Sequence, residues 1–321
     1  MAEREPLISI ICAIRNEDRF IRETLDTVVS QSYLNWELVI MDGGSTDKTL
    51  SILQEYEGIY KNIIVYSESD SGQWHALDKA LALSKGEYVT MLCGQDGYLD
   101  KEWLKRCVEV FNNDKDISLV WGVPINMSED GKLLGPHYAY ARFLKDDKYG
   151  SQTKPISTIM AKIDWSRDSA MKRFWQLLRK LTWSRMRIVF LSFIKEDIPQ
   201  KEDWLEYWIR TNRVFPEGNM VVDKKVFLKH TKRFPEEKMA NAALLDFCFN
   251  FNVNGLLSYG LSLAASFGRS HVEGQDLREH DTELTRNYYE KVSEFRKKII
   301  GKPFAFFDSM GRVVSERVIK I

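Results

Sequence analysis

"GEYVTMLCGQDGYLDKEWLKRCVEVFNN", residues 86 to 113, holds a strand, a turn and a helix in one run. "EYVTMLCG" is short, apolar and β-rich, which suits a strand covered on both faces. "LDKEWLKRCVEVFNN" then repeats its apolar residues at helical spacing. The same unit recurs on the N-terminal side. "LISIICAI" (7–14) is a continuous strand run, and "DRFIRETLDTVVSQSY" after it places Ile21, Leu25, Val28 and Val29 on one helical face. "WELVIMD" and "STDKTLSILQEY" form the second pair, and "NIIVYSESD" and "GQWHALDKALALSKG" the third, with Gly86 read as the stop of that helix. "ISLVWGVPINM" is a fifth strand, ending at the turn "SEDGK". Strand and helix alternating at this spacing predict a mostly parallel α/β sheet with helices on both faces. Ligands of such sheets bind beyond the carboxyl ends of the strands. Here those ends read "AIRNE", "MDGGSTD", "SESDSGQ" and "CGQDGYLD".

The composition fits a globular chain. Of 321 residues, 44% are hydrophobic and 29% charged, and Lys plus Arg balance Asp plus Glu at 46 each. A net charge of zero gives no bulk attraction to nucleic acid, and no nucleic-acid partner is expected. The four cysteines lie far apart without a CxxC pair, which fits a reducing compartment better than a disulfide framework. The charged start "MAEREPLISII" does not read as a signal peptide. No apolar run reaches the roughly 18 residues of a membrane span, so a cytoplasmic location is expected. Neither GxxxxGK[ST] nor a GxGxxG after the first strand is present, which argues against simple nucleotide hydrolysis and dinucleotide binding.

Past residue 140 the alternation is lost. Five of the nine tryptophans fall between 163 and 210, mixed with arginines and lysines. Such a stretch suits a helix lying in a membrane interface, with 163–195 touching the inner face of the membrane. It equally suits aromatic residues packing on the core with their basic neighbours snorkelling. "DLREHDTELTRNYYEKVSEFRKKII" begins a polar tail expected to be helical. The expected organisation is 1–140, 141–275 with a helical insertion at about 163–210, and a helical tail over 276–321.

Taken in order, "MDGGSTDKT", "SDSGQWHALDKAL" and "GEYVTMLCGQDGYLD" resemble family 2 glycosyltransferases of the GT-A fold. The usual family patterns are DDGSTD, D-x-G-x-x-x-A-x-N and a strand closing in D-x-D-D. The resemblance covers about residues 6 to 125 and continues weakly through "FPEGNMVVDKKVFLKHTKRFPEE" and "LAASFGRSHVEGQ". It implies an inverting transfer of a hexose from a UDP-, GDP- or dTDP-linked donor to a hydroxyl of a saccharide or lipid-linked acceptor, as in polysaccharide biosynthesis. Asp42 would contact the base. Arg15, at a position often aromatic in the family, would stack on it, flanked by Ala13 and Glu17. Asp70 would face the ribose or phosphates, with Gln73 and His75 near the diphosphate at a helix N-terminus.

In the family the fourth strand ends in acids that hold Mg²⁺ or Mn²⁺. Here Cys93 and Gln95 replace two of them and Asp96 remains. Gln95 can still offer a carbonyl oxygen, whereas a thiol is a poor ligand for a hard ion. This is a thinned metal site or a metal-independent one, with His271 as a further candidate ligand. The acceptor needs a general base. Asp246 is the candidate on one alignment; a second leaves Ala243 and Leu244 at the base positions, with Glu236 and Glu237 as upstream alternatives. The runner-up is a non-catalytic relative that binds nucleotide or glycan.

Overall fold

The computed structural model describes residues 4–137, 140–145, 196–216, 218–231, 240–269 and 282–320. Four strands form the expected parallel half: β1 (Ile8–Ile14), β2 (Trp36–Asp42), β3 (Ile63–Ser67) and β4 (Tyr88–Met91). They lie side by side as β3-β2-β1-β4. α1 (Ile21–Val29), α2 (Thr49–Ile59) and α3 (Gln73–Leu83) connect them. Every residue of β1 and β2 is buried, as continuous apolar runs between two helical layers should be.

Two polar residues inside these strands have a structural task. Ser9 donates to Glu37 at 2.6 Å and accepts from the Gly86 N–H at 2.7 Å, while Lys85 N–H also donates to Glu37. This buried network pins the loop before β4 to the N-terminal ends of β1 and β2. It also corrects the reading of Gly86. α3 ends at Leu83 with Ser84 extended, and a Cβ on Gly86 would fall 2.5 Å from Ser9 Oγ and 2.8 Å from the Leu7 carbonyl. The glycine is there for close approach, not to terminate the helix.

The other half of the sheet is mixed. After β5 (Gly97–Tyr98) and α4 (Trp103–Asn113), β6 (Ile117–Met127) takes the centre. It pairs antiparallel with β7 (Leu133–Pro136) and β8 (Met220–Asp223), and parallel with β9 (Leu257–Arg269). The register of β6 against β9 shifts on either side of Val123; Pro124, which has no N–H to give the ladder, sits at that irregularity. The full sheet runs β3-β2-β1-β4-β8-β6-β9-β5, with β7 off the edge of β6.

α5 (Glu202–Thr211), α6 (Lys224–His230), α7 (Ala240–Val253) and α8 (Thr282–Ile299) cover this half. Of the five tryptophans between 163 and 210, Trp204 and Trp208 are core residues. Trp204 lies 5.1 Å from Trp121 and stacks on Phe215 at 4.7 Å, and Trp208 donates to the Tyr288 hydroxyl at 2.7 Å. The rest of the Trp-rich stretch, 163–195, lies outside the described residues. The tail departs from expectation: α8 stops at Ile299, and β10 (Pro303–Phe307) and β11 (Val313–Val318) form a hairpin. "PFAFF" and "VVSERV" carry the aromatic and β-branched residues of strands. Gly301 and Gly311 have φ of 73° and 81° at the two turns, a conformation that favours glycine. Among the described residues no helix is long and apolar enough to cross a membrane.

Candidate functional site

Because β1 to β4 are parallel, their carboxyl ends and the loops after them gather at one edge. There the structure collects Ala13, Arg15, Glu17, Asp42, Asp70, Gln73, His75, Gln95 and Asp96. Hydrogen bonds stitch the first two loops together. Asn16 N–H donates to Ser45 Oγ at 2.8 Å, Thr46 N–H to Asn16 Oδ1 at 2.8 Å and Glu17 N–H to Thr49 Oγ1 at 2.8 Å. Asn16 pays for this with a left-handed φ of 57°, which an asparagine tolerates better than most residues. Ala13 is buried in β1 beside Met41, and Arg15, one turn of the pleat further on, is exposed.

Asp42 has no exposed surface. Its carboxylate accepts from Ser45 N–H (3.1 Å to Oδ2), from Ser45 Oγ, and from Ser67 Oγ at 2.6 Å. It therefore ties the "DGGS" loop to the end of β3. The neighbouring position opens differently. A Cβ built on Gly43 would sit 2.6 Å from Asp70 Oδ2 and 3.6 Å from Arg15 Cβ, so Asp70 and Arg15 converge over a residue that lacks a side chain. The other Asp70 oxygen accepts from Gly72 N–H at 2.8 Å, where φ of 131° requires glycine.

α3 starts one residue later. The first N–H groups of a helix have no intrahelical partner and attract anions. Gln73 Nε2 reaches Cys93 Sγ at 3.5 Å, which sets this N-terminus against the "CGQD" turn. His75 is exposed, its Nδ1 2.9 Å from Ser71 Oγ.

The "CGQD" turn is fixed from below by α1. Thr24 Oγ1 donates to the carbonyls of Gly94 (3.0 Å) and Asp96 (2.6 Å). A Cβ on Gly94 would meet Ile14 Cγ2 at 2.6 Å and Glu17 Cγ at 3.1 Å. Burial, then the charges of Asp96 and Glu17, push the Cys12 thiol well above its ordinary range; the two carboxylates thus share one neighbourhood above β1. Asp96 Oδ1 accepts from Arg269 N–H at 3.2 Å. Beside it, Gln95 Oε1 is buried without a hydrogen-bond partner among the described residues.

Arg269, the last residue of β9, is a structural keystone. Its side chain is 2% exposed and pairs with Glu23. It donates to the carbonyls of Ser128 (3.1 Å) and Glu129 (3.2 Å), and its guanidinium lies 4.3 Å from the Phe20 ring centroid. One buried cation thereby joins α1, the β6–β7 turn and the end of β9 beside Asp96. No local pattern signals this, because its partners are more than a hundred residues away in sequence. His271, Glu236 and Glu237 lie outside the described residues.

Asp246 occupies the second turn of α7. Asn250 Nδ2 donates to Asp246 Oδ2 at 2.9 Å and to the His230 carbonyl at 3.0 Å, which ties this carboxylate to the packing of α7 on the end of α6. Ala243 and Leu244 are buried and apolar.

Comparison with known proteins identifies the family and the fold. The profile of Glycosyl transferase family 2 matches residues 9–175, more than half of the chain. The chain belongs to glycosyl transferase family 2. Among relatives, it is 39% identical over 135 residues to the putative teichuronic acid biosynthesis glycosyltransferase TuaG of Bacillus subtilis, covering 42% of this chain and 53% of that protein. It is 28% identical over 143 residues to the hyaluronan synthase of Pasteurella multocida, covering 44% of this chain and 15% of that one. The chain thus spans about half, or much less, of these relatives' length. In fold it resembles the crystal structure of S. aureus TarS 1–349 in complex with UDP-GlcNAc, with a TM-score of 0.54 and 17% identity over 91% of this chain and 66% of that one. The fold is the GT-A type.

Proposed function

We propose that this family 2 member transfers a sugar from a nucleoside diphosphate donor to a hydroxyl of a saccharide or lipid-linked acceptor, with inversion. The observation that carries the reading is the junction of α3 with the "CGQD" turn through Gln73 and Cys93. It sets a helix N-terminus, suited to a diphosphate, beside the carboxylate of Asp96.

In this reading the base lies at Gly43 against the exposed Arg15 and the diphosphate at the start of α3 near Gln73 and His75. A Mg²⁺ or Mn²⁺ ion fits the turn as a donor-borne ion. Asp96 supplies one carboxylate, Gln95 Oε1 is a hard oxygen without a partner among the described residues, and Mg²⁺ often needs only one or two carboxylates besides phosphates and waters. Among the described residues no three His, Cys, Asp or Glu side chains form a cage, so the diphosphate would complete the coordination. When bound, the ion would neutralise charge building on the leaving diphosphate, the largest expected share of the catalysis. The acceptor oxygen attacks the anomeric carbon, the bond to the diphosphate breaks with its electron pair, and a carboxylate takes the hydroxyl proton. Asp246 is the candidate for that last role. Contact of 163–195 with a membrane surface belongs to the same proposal, as the route to a lipid-linked acceptor.

The test is turnover of UDP-, GDP- and dTDP-sugars with and without Mn²⁺. Asp96→Asn should cut turnover by about 10²-fold or more with an unchanged melting curve, and near-normal turnover would overturn the role of Asp96. Asp246→Asn should lower turnover without weakening donor binding; full activity in that variant would remove it as the base. A second reading, a non-catalytic relative that binds nucleotide or glycan, is favoured by one observation: the alternative base positions Ala243 and Leu244 are buried and apolar. Donor binding without turnover under any metal condition would select it.

A further inference from the structure

The β10–β11 hairpin turns one face to the protein and the other to solvent. Phe304 and Phe306 lie on the first face, opposite Arg317 and Ser315. Phe306 is buried, Ser315 donates to Glu202 of α5, and Arg317 pairs with Asp203. The second face carries Pro303, Ala305 and Phe307 opposite Val318, Glu316 and Val313, because residues across a ladder, or two apart along a strand, share a side. A sheet packed on one side is expected to be polar on the other. Here every residue of that outer face but Glu316 is apolar. Val313 is 61% exposed and Val318 44%. Beside them, Met310 in the turn is 71% exposed and Ile300, just before β10, 42%.

The same unit is basic. Residues 296–320 hold seven Lys or Arg against two acids, in a chain whose net charge is zero. Lys297, Lys298 and Lys302 are exposed and form no ion pair among the described residues. Arg312 keeps 65% of its side chain exposed beside its partner Asp308. A helix C-terminus attracts cations, which accounts for Lys297 and Lys298. Lys302 and Arg312 lie beyond it, at the two ends of the hairpin.

We propose that the end of α8 and the outer face of the β10–β11 hairpin dock onto an anionic lipid bilayer. Met310, Val313 and Val318 would enter the interface, and Lys297, Lys298, Lys302 and Arg312 would meet headgroup phosphates. An apolar patch rimmed by cations matches such a surface in both respects. A second copy of this chain fits less well, because a two-fold contact sets the same cations against each other. A nucleic acid would meet the cations and leave the three apolar side chains in water. The inference goes beyond the sugar-transfer reading and does not depend on it.

The experiment is sedimentation of the full chain with vesicles of phosphatidylcholine alone, or of phosphatidylcholine with phosphatidylglycerol. It compares wild type with Lys297→Ala/Lys298→Ala/Lys302→Ala and with Met310→Ser/Val313→Ser. Wild type should bind the anionic vesicles, less so as salt rises, and the neutral ones far more weakly. The triple variant should lose roughly 100-fold in partitioning, at about fivefold per cation near a charged surface. The double variant should lose about tenfold or more, as exposed apolar groups no longer enter the interface. Both variants should melt with wild type, since all five side chains stand in solvent. No binding of wild type to anionic vesicles overturns the proposal. So does binding that both variants retain, which would place the membrane contact elsewhere on the chain. A concentration-dependent dimer by light scattering, lost in Met310→Ser/Val313→Ser without any vesicle binding, would assign the face to a second copy instead.

Discussion

Asp42→Ala separates a carboxylate that shapes a loop from one that touches a ligand. In the folded chain this group accepts from Ser45 N–H, Ser45 Oγ and Ser67 Oγ with no exposed surface. Truncation leaves a buried N–H and two hydroxyls without their acceptor. A buried donor deprived of its partner costs about 1–3 kcal/mol. Ser67 is exposed and Ser45 half-exposed, so water can replace part of the loss for both hydroxyls. The net destabilisation should be about 2–4 kcal/mol, or a fall in Tm of about 5–10 °C for a domain of this size. The assay is thermal unfolding without ligand, followed by UDP and GDP binding at a temperature where the variant is folded. A variant that melts within about 1 °C of wild type yet has lost nucleotide binding would refute this reasoning. It would mean that Asp42 leaves its serines to meet the base directly.

Two further outcomes follow from buried charges. Arg269→Met should destabilise by about 1–3 kcal/mol, since it removes the donor to the Ser128 and Glu129 carbonyls while Glu23, half exposed, is taken up by water; a denaturant midpoint equal to wild type would show that the pairing contributes nothing net. Burial, and secondarily the charge of Arg213, depresses His137 to about 4 from 6.5. A depressed histidine pKa means that the unfolded chain binds the extra proton first as pH falls. The contribution of His137 is thus complete above pH 6.5 and is lost as pH falls towards about 4. His137→Gln should flatten the stability profile across that window, and an unchanged slope would count against a buried neutral imidazole.

The parallel half of the fold was legible because its signal is local. An unbroken run such as "LISIICAI" can be satisfied only between two apolar layers, and the helices between the runs show their own period. The mixed half was less legible. β8 and β9 insert by long-range pairing with β6, and Pro124 breaks the register where a sequence reading expects one even strand. The tail was misread because "RNYYEKVSEFRKKII" is strongly helical and the strands after it pair mainly with each other.

The site divides in the same way. By itself the sequence determined which residues reach the carboxyl edge of the sheet, because strand ends follow from strand runs. The resemblance to the family added that Cys93 and Gln95 stand where acids are expected, with Asp96 remaining. Only the tertiary structure decided what each group does there. Asp42 is captured by Ser67, 25 residues away, Asp70 fills the space over Gly43, and Arg269 grips α1 and the β6–β7 turn. Those fates depend on competition among polar groups for a few buried partners, and which donor lies within 3 Å of which acceptor is set by strand order and loop closure rather than by spacing along the chain.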